Sequence, residues 1–173
     1  MVDQCRHRIY SFAYYTLGSR EEAEDVTQDV LIRLWENWDS VDKSRIMAWL
    51  IRVTRNRCLD LHRTRRKRHD LLEQNVTDQS PGAAAGPSDP ETDMRRADIR
   101  LLVENALRTI DEPYRSIVIL REIEDYTYAQ ICAALEMPLN TVKVYLHRGR
   151  RMLRERLQPQ ESGGSGAVAN GIA

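Results

Sequence analysis

The sequence is short of the features that mark secreted, membrane-spanning and phosphate-loop proteins. Three cysteines among 173 residues, Cys5, Cys58 and Cys132, are too few and too scattered for a disulfide framework and suit a reducing cytoplasmic setting. No apolar run approaches the roughly 20 residues of a membrane span, so membrane insertion is not expected. The start, Met1-Val2-Asp3-Gln4-Cys5-Arg6, has no apolar signal core. Glycine is sparse until the tail, which excludes a Gly-rich phosphate cradle, and no cofactor is expected. Alternating apolar and polar runs are absent, so strands are not expected. Net charge is absent too, with 26 basic and 26 acidic residues.

That zero conceals sorting. Arg52 to Arg68 holds eight basic residues against Asp60 alone. His69 to Asp98 holds seven acids against two arginines, and Leu139 to Leu157 has six basic residues against Glu155. Charge sorted into blocks speaks for polyanion-binding faces rather than a uniformly mixed surface.

Apolar spacing predicts an all-α fold of two small domains, 1–68 and 97–157, joined by a flexible acidic linker at 69–96. Pro, Gly, Ser and Asp dominate that linker between Thr77 and Pro90, and the end, 158–173, reads as a disordered tail. In the first domain Ile9, Phe12, Ala13 and Leu17 recur at helical spacing up to Gly18. Ser19-Arg20-Glu21-Glu22 is a capping box before the stripe Ala23, Val26, Val30, Leu34. Ser44 is expected to cap a long helix whose inner face carries Met47, Leu50, Thr54, Cys58 and Leu61, widened by Ile46, Trp49 and Val53.

The second domain ends in a pattern of short helix, tight turn and longer basic helix. Thr127-Tyr128-Ala129-Gln130 opens the short helix as a capping box. Pro138 breaks the chain and pushes Met137 out of the α region, and Asn140 is the expected cap of the last helix. In a helix-turn-helix the early outward residues of that helix, Thr141, Lys143, Val144, His147 and Arg148, meet base edges. The later Arg150, Arg151 and Arg154 suit phosphates. A merely solvated face is the alternative, but such faces ordinarily mix both signs.

In the first domain Arg52, Asn56, Arg63 and Lys67 follow at four-, seven- and four-residue steps, with Arg55 and Arg66 beside them. This is the pattern of a phosphate-tracking face, and Asn56 is able to bond a base edge. The preceding loop, from Trp38 through Ser40 to Lys43, places an aromatic at the entrance of a polar segment, as a base drawn from its stack requires. Trp35, Trp38 and Trp49 are otherwise read as core residues, and Trp49, between Ile46 and Val53, is assigned to the core. The helix before the loop is acidic: Asp25, Asp29, Ile32 and Glu36 lie in a row with Gln28 and Arg33 adjacent. An apolar residue in an acidic row leaves room for a protein partner.

Taken in order, these segments resemble an extracytoplasmic-function sigma factor of bacterial RNA polymerase, in the sigma-70 family. Ala23-Glu24-Asp25-Val26-Thr27-Gln28-Asp29-Val30 through Leu34-Trp35 is similar to the family's core-polymerase-binding helix. Ala48 to Asn56, with Asp60, resembles the segment that melts and reads the minus-ten element. Tyr126 to Ile131 with Thr141-Val142-Lys143 resembles the reader of the minus-thirty-five element. The resemblance implies docking of Asp25, Gln28, Asp29, Ile32 and Arg33 on the clamp helices of the largest catalytic polymerase subunit. It also implies capture of a flipped base by the Trp38–Lys43 loop and Asn56, a linker running toward the RNA path, and an anti-sigma partner. No catalysis is implied.

Three departures accompany the resemblance. The family's first helical stretch usually begins before the position of Gln4. Glycine is common where Glu136 stands, and a left-handed residue there costs roughly 1–2 kcal/mol. Val144 and Tyr145 replace a common Ser-Arg pair, so promoter preference is expected to differ. The competing reading is a stand-alone helix-turn-helix regulator, which accounts for 97–157 but not for Trp49–Asn56. A metal site at Cys58 and His62, one helical turn apart, lacks a second ligand pair. Single-stranded RNA binding lacks a strand-borne aromatic platform.

Overall fold

The computed structural model describes residues 2–72 and 90–158. They form α1 (Val2–Leu17), α2 (Arg20–Glu36), a 3-10 turn (Lys43–Arg45), α3 (Ile46–Leu72), α4 (Pro90–Arg108), α5 (Tyr114–Val118), α6 (Tyr128–Leu135) and α7 (Leu139–Leu157). No strand occurs among the described residues, and no helix among them is long and apolar enough to cross a membrane. Helix enters the expected linker from both sides, to Leu72 and from Pro90. The rest of that linker, and the tail after 158, lie outside the described residues.

Local chemistry sets the helix ends. The Gly18 N–H donates to the Tyr14 carbonyl at 2.7 Å, in the left-handed conformation (φ +71°) that glycine adopts without a Cβ penalty. Ser19 then caps α2, its Oγ accepting from the Glu22 N–H. Thr127 and Gln130 cap α6 reciprocally, as their spacing predicts. Two expected caps are displaced. Asp42, not Ser44, opens the third helical segment: its carboxylate accepts from the Ser44 N–H at 2.9 Å and from Ser44 Oγ at 2.7 Å, forming the 3-10 turn ahead of α3. At α7 the cap position is Pro138, extended at ψ 147°, so Asn140 falls inside the first turn and there is no side-chain cap. The proline's fixed φ sets the break two residues earlier than Asn140's capping preference.

α1, α2 and α3 pack around Ile9, Ala13, Leu17, Val26, Val30, Leu50 and Cys58. The second core gathers Leu107, Ile117, Leu120, Ile131, Val142 and Leu146 from α4 to α7. A π-helical turn, Ile119–Ile123, prolongs α5, with the Glu124 N–H donating to the Ile119 carbonyl. α7 crosses α5 closely at Gly149, where a Cβ would sit 2.6 Å from Val118 Cγ2.

The two helical groups are in contact. Phe12 of α1 and Ile51 of α3, both fully buried, belong to the apolar cluster of α4–α7. α3 packs on α6, and α1 on α4. Small separate domains leave apolar surface uncovered, and here each covers part of the other's.

Candidate nucleic-acid and protein interfaces

α7 carries its candidate base-reading face outward because Val142, Leu146 and Gly149 turn inward. Lys143, Val144, His147 and Arg148 are exposed and Thr141 is half-buried. These five fall on one side of the helix, the arrangement a groove reader requires. Arg150 is held by Glu122 at 2.7 and 2.9 Å, and Arg151 lies 3.5 Å from Glu155. Exposed pairs of this kind are worth about 0–1 kcal/mol, so a phosphate can displace them.

The Trp38–Lys43 loop is folded on itself. The Asn37 side chain donates to the Arg33 carbonyl, and Ser40 Oγ donates to the Asn37 carbonyl at 2.9 Å. Lys43 Nζ stands 4.2 Å from the Trp38 ring centroid and donates to the carbonyls of Trp38 and Val41. The hydrogen bonds from Ser44, side chain first and backbone second, hold the Asp42 carboxyl below its ordinary range. Beside this loop a cavity of 270 Å³ is lined by Ser40, Asp42, Arg45, Trp49 and Arg52 from the first group and by Ala133 and Glu136 from the second. Trp49 is half-buried against the first core, in keeping with its core assignment, whereas Trp38 is exposed.

The basic face of α3 is divided. Asn56, Arg63, Arg66 and Lys67 are exposed, Arg63 near Asp60 at 3.3 Å. Arg52 and Arg55 are not the free cations their spacing suggests. Arg52 is paired with Glu136 in the turn before α7. Arg55 donates to Ser116 Oγ at 3.1 Å and lies 3.6 Å from Glu112. Both acids belong to the second helical group, so tertiary packing overrides what the helix alone offers.

On α2, Asp25, Gln28 and Arg33 are exposed, and Ile32 is 54% exposed. Asp29 is half-buried and accepts from Arg57 Nε at 3.0 Å. Trp35, for which a core place was the alternative reading, is 81% exposed. Its signal was its spacing: it falls three residues after Ile32 and outside the Val26, Val30, Leu34 stripe, so the two extend one apolar strip on an acidic helix.

The Cys58–His62 pairing does not form a ligand site. Cys58 is fully buried, and burial pushes its thiol up to about 12. His62 Nε2 lies 3.2 Å from the Thr16 carbonyl and 3.3 Å from Arg115 Nη1. Burial, then the Arg115 charge, holds its imidazole below the ordinary value. Among the described residues no cluster of three His, Cys, Asp or Glu is placed to hold a metal.

Residues 1–68 match the family described as Sigma-70 region 2, and residues 100–153 that described as Sigma-70, region 4. The ECF RNA polymerase sigma factor SigW of Bacillus subtilis (strain 168) is 31% identical over 166 residues, spanning 91% of this chain and 87% of that protein. The ECF RNA polymerase sigma factor SigE of Mycolicibacterium smegmatis is 34% identical over 164 residues, spanning 94% of this chain but 62% of the relative. Among solved structures, the sigma factor RpoE in complex with the anti-sigma factor NepR, from Bartonella quintana, shares the fold with a TM-score of 0.64 at 23% identity, covering 89% of this chain and 92% of that one. CnrH in complex with the cytosolic domain of CnrY gives 0.60 at 22%, covering 87% and 81%.

Proposed function

The chain belongs to the extracytoplasmic-function sigma factors of the sigma-70 family, and from that premise we propose how its surfaces divide the work of transcription initiation. Residues 1–68 form the unit that binds core RNA polymerase and the minus-ten element, and 97–157 the unit that binds the minus-thirty-five element. The observation that carries this reading is the occurrence of both sigma-70 regions, in order, on one chain. A stand-alone helix-turn-helix regulator has no use for the first of them.

The polymerase clamp docks on the outer face of α2, through Asp25, Gln28, Asp29, Ile32 and Arg33, with Trp35 added to them. An exposed apolar strip rimmed by acids suits a basic, partly apolar partner helix. In the minus-ten unit Trp38, Ser40 and Lys43 shape the pocket for an unstacked base and Asn56 reads an edge. Arg52, Arg55, Arg63, Arg66 and Lys67 hold the backbone. Flipping costs a few kcal/mol, which phosphate contacts and the polymerase together offset. On α7, Thr141, Lys143, Val144, His147 and Arg148 read the upstream element, and Arg150 and Arg151 hold phosphates. Sigma factors direct a catalyst rather than act as one, and this chain works with polymerase in the cytoplasm. An anti-sigma protein is a further partner; the neighbouring RpoE structure was solved with one.

Co-elution with core polymerase on a sizing column tests the reading. The wild-type chain is expected to elute with the enzyme and Asp29→Lys to fall away from it while keeping its helical circular dichroism. Because Asp29 also pairs with Arg57, Arg57→Ala is the control and should still bind. Failure of a folded wild-type chain to bind polymerase would remove the assignment.

A further inference from the structure

Two of the cations assigned above to minus-ten DNA already hold anions within the chain. We propose that Glu112 and Glu136 of the second unit stand in for DNA phosphates on Arg52 and Arg55, so that the free chain is latched shut and promoter DNA must displace the latch. The proposal rests on the DNA-binding reading of α3 and adds a regulatory contact to it.

The latch has two kinds of part. One is a seam that supplies adhesion. Phe12 and Ile51 are fully buried in the second unit's apolar cluster. Buried Arg115 of α5 donates to the Thr16 carbonyl of α1 at 3.1 Å, and Tyr14 of α1 donates to Glu104 of α4 at 2.9 Å. The other part is the acid pair, which supplies specificity. Glu136 meets Arg52 at the rim of the 270 Å³ cavity beside the Trp38–Lys43 loop. Glu112 meets Arg55 with both side chains mostly buried, and Ser116 Oγ joins them, donating to the Glu112 carboxylate at 2.6 Å. A carboxylate on an arginine presents the charge and bidentate-capable oxygens that a phosphate would. Glu136 occupies its place at the cost of a left-handed backbone (φ 54°) where glycine or asparagine would rest more easily.

Opening can be read by thiol labelling of the full chain, even when rare. With Cys5 and half-buried Cys132 changed to Ala, an Ile51→Cys side chain is sealed by the second unit and reacts only when the units part. Native Cys58, buried in the first core, reports global unfolding in the same sample. An exposed ion pair is worth up to a factor of about five, so Glu136→Arg and Arg52→Glu should each speed labelling at position 51 about fivefold, with Cys58 unchanged. The two together restore opposite charges and should return the slow rate. Equal rates in all three, or wild-type labelling as fast as a free thiol, would overturn the latch. Core polymerase together with promoter DNA, both in excess, should speed labelling at 51; co-elution with the rate unchanged would also overturn it. Absence of co-elution counts against the functional reading instead, and leaves the charge swap to decide the latch.

Discussion

α3 and α7 have the same kind of sequence, an amphipathic helix whose run of cations is interrupted by a single acid, Asp60 or Glu155, yet they meet solvent differently. On α7 the candidate base readers Lys143, Val144, His147 and Arg148 face outward. On α3 the first two cations, Arg52 and Arg55, are met by Glu136 and Glu112, while Asn56 and the stretch from Arg63 onward are open. The difference comes from what packs on each helix. α7 lies on α5 and α6 by its apolar side, whereas α3 is covered by α6 on the side where its cations begin. A charge run therefore states what a helix can bind, and tertiary packing states when it is available to bind. On the proposed reading, the upstream reader is ready and the minus-ten reader is half covered.

The contrast is broken most severely at the seam. Ile51→Ala removes a fully buried side chain that both units share, and large-to-small core changes cost about 2–5 kcal/mol. The expected outcome is a urea transition, followed by circular dichroism, that falls to lower denaturant or splits in two as the units uncouple. An unmoved single transition would mean that the seam bears no weight. On the α7 side Gly149→Ala should cost about 1–3 kcal/mol through overpacking against Val118, partly offset by alanine's better helix propensity; the same denaturation series measures it. Arg148→Ala leaves both cores untouched and should weaken holoenzyme binding to a promoter by about 1–3 kcal/mol if Arg148 reads a base. Its loss should depend on the upstream sequence, and equal loss on all sequences would reassign it to phosphate contact.

Most of the fold was legible because it depends on local periodicity. The Thr127–Gln130 box, the Gly18 stop and the stripe of Leu50, Thr54 and Cys58 all stand as their spacing indicates. Caps were legible only where one candidate stood alone. Asp42 and Ser44 compete two residues apart, and Asn140 loses to Pro138, whose fixed φ is a stronger constraint than a side-chain hydrogen bond. The π-helical turn at Ile119–Ile123 has no signature in apolar spacing. At the interfaces, outward residues of α7 were readable because helical phase alone decides them. The fate of Arg52 and Arg55 was not, since their partners lie 84 and 57 positions away, and no helical period reports a contact at that range. Trp35 was left open for a different reason. A tryptophan on an amphipathic helix is ordinarily core, and only its phase relative to Ile32 argued otherwise.

The smallest expected effect lies where His62, Arg115 and the Thr16 carbonyl meet across the seam. His62 of α3 faces Arg115 of α5, with Arg65 on its own helix and Glu112 near α5. Burial first, then the Arg115 guanidinium, lowers its pKa in the folded chain below the ordinary 6.5. The unfolded chain therefore binds the proton more readily than the folded one. The neutral ring's contribution is complete above pH 6.5 and is lost as pH falls from there through the folded value. Protonation sets a second cation beside Arg115 and removes the lone pair that can accept from it, so acid should loosen the contact between the units. Carboxylates titrate lower on the same scale, and the effect must be read as a difference between variants. His62→Asn, neutral at every pH, should lose less stability than wild type between pH 7.5 and 5.5 in matched urea titrations. Parallel losses in the two chains would show that His62 takes no part in the acid response of the closed form.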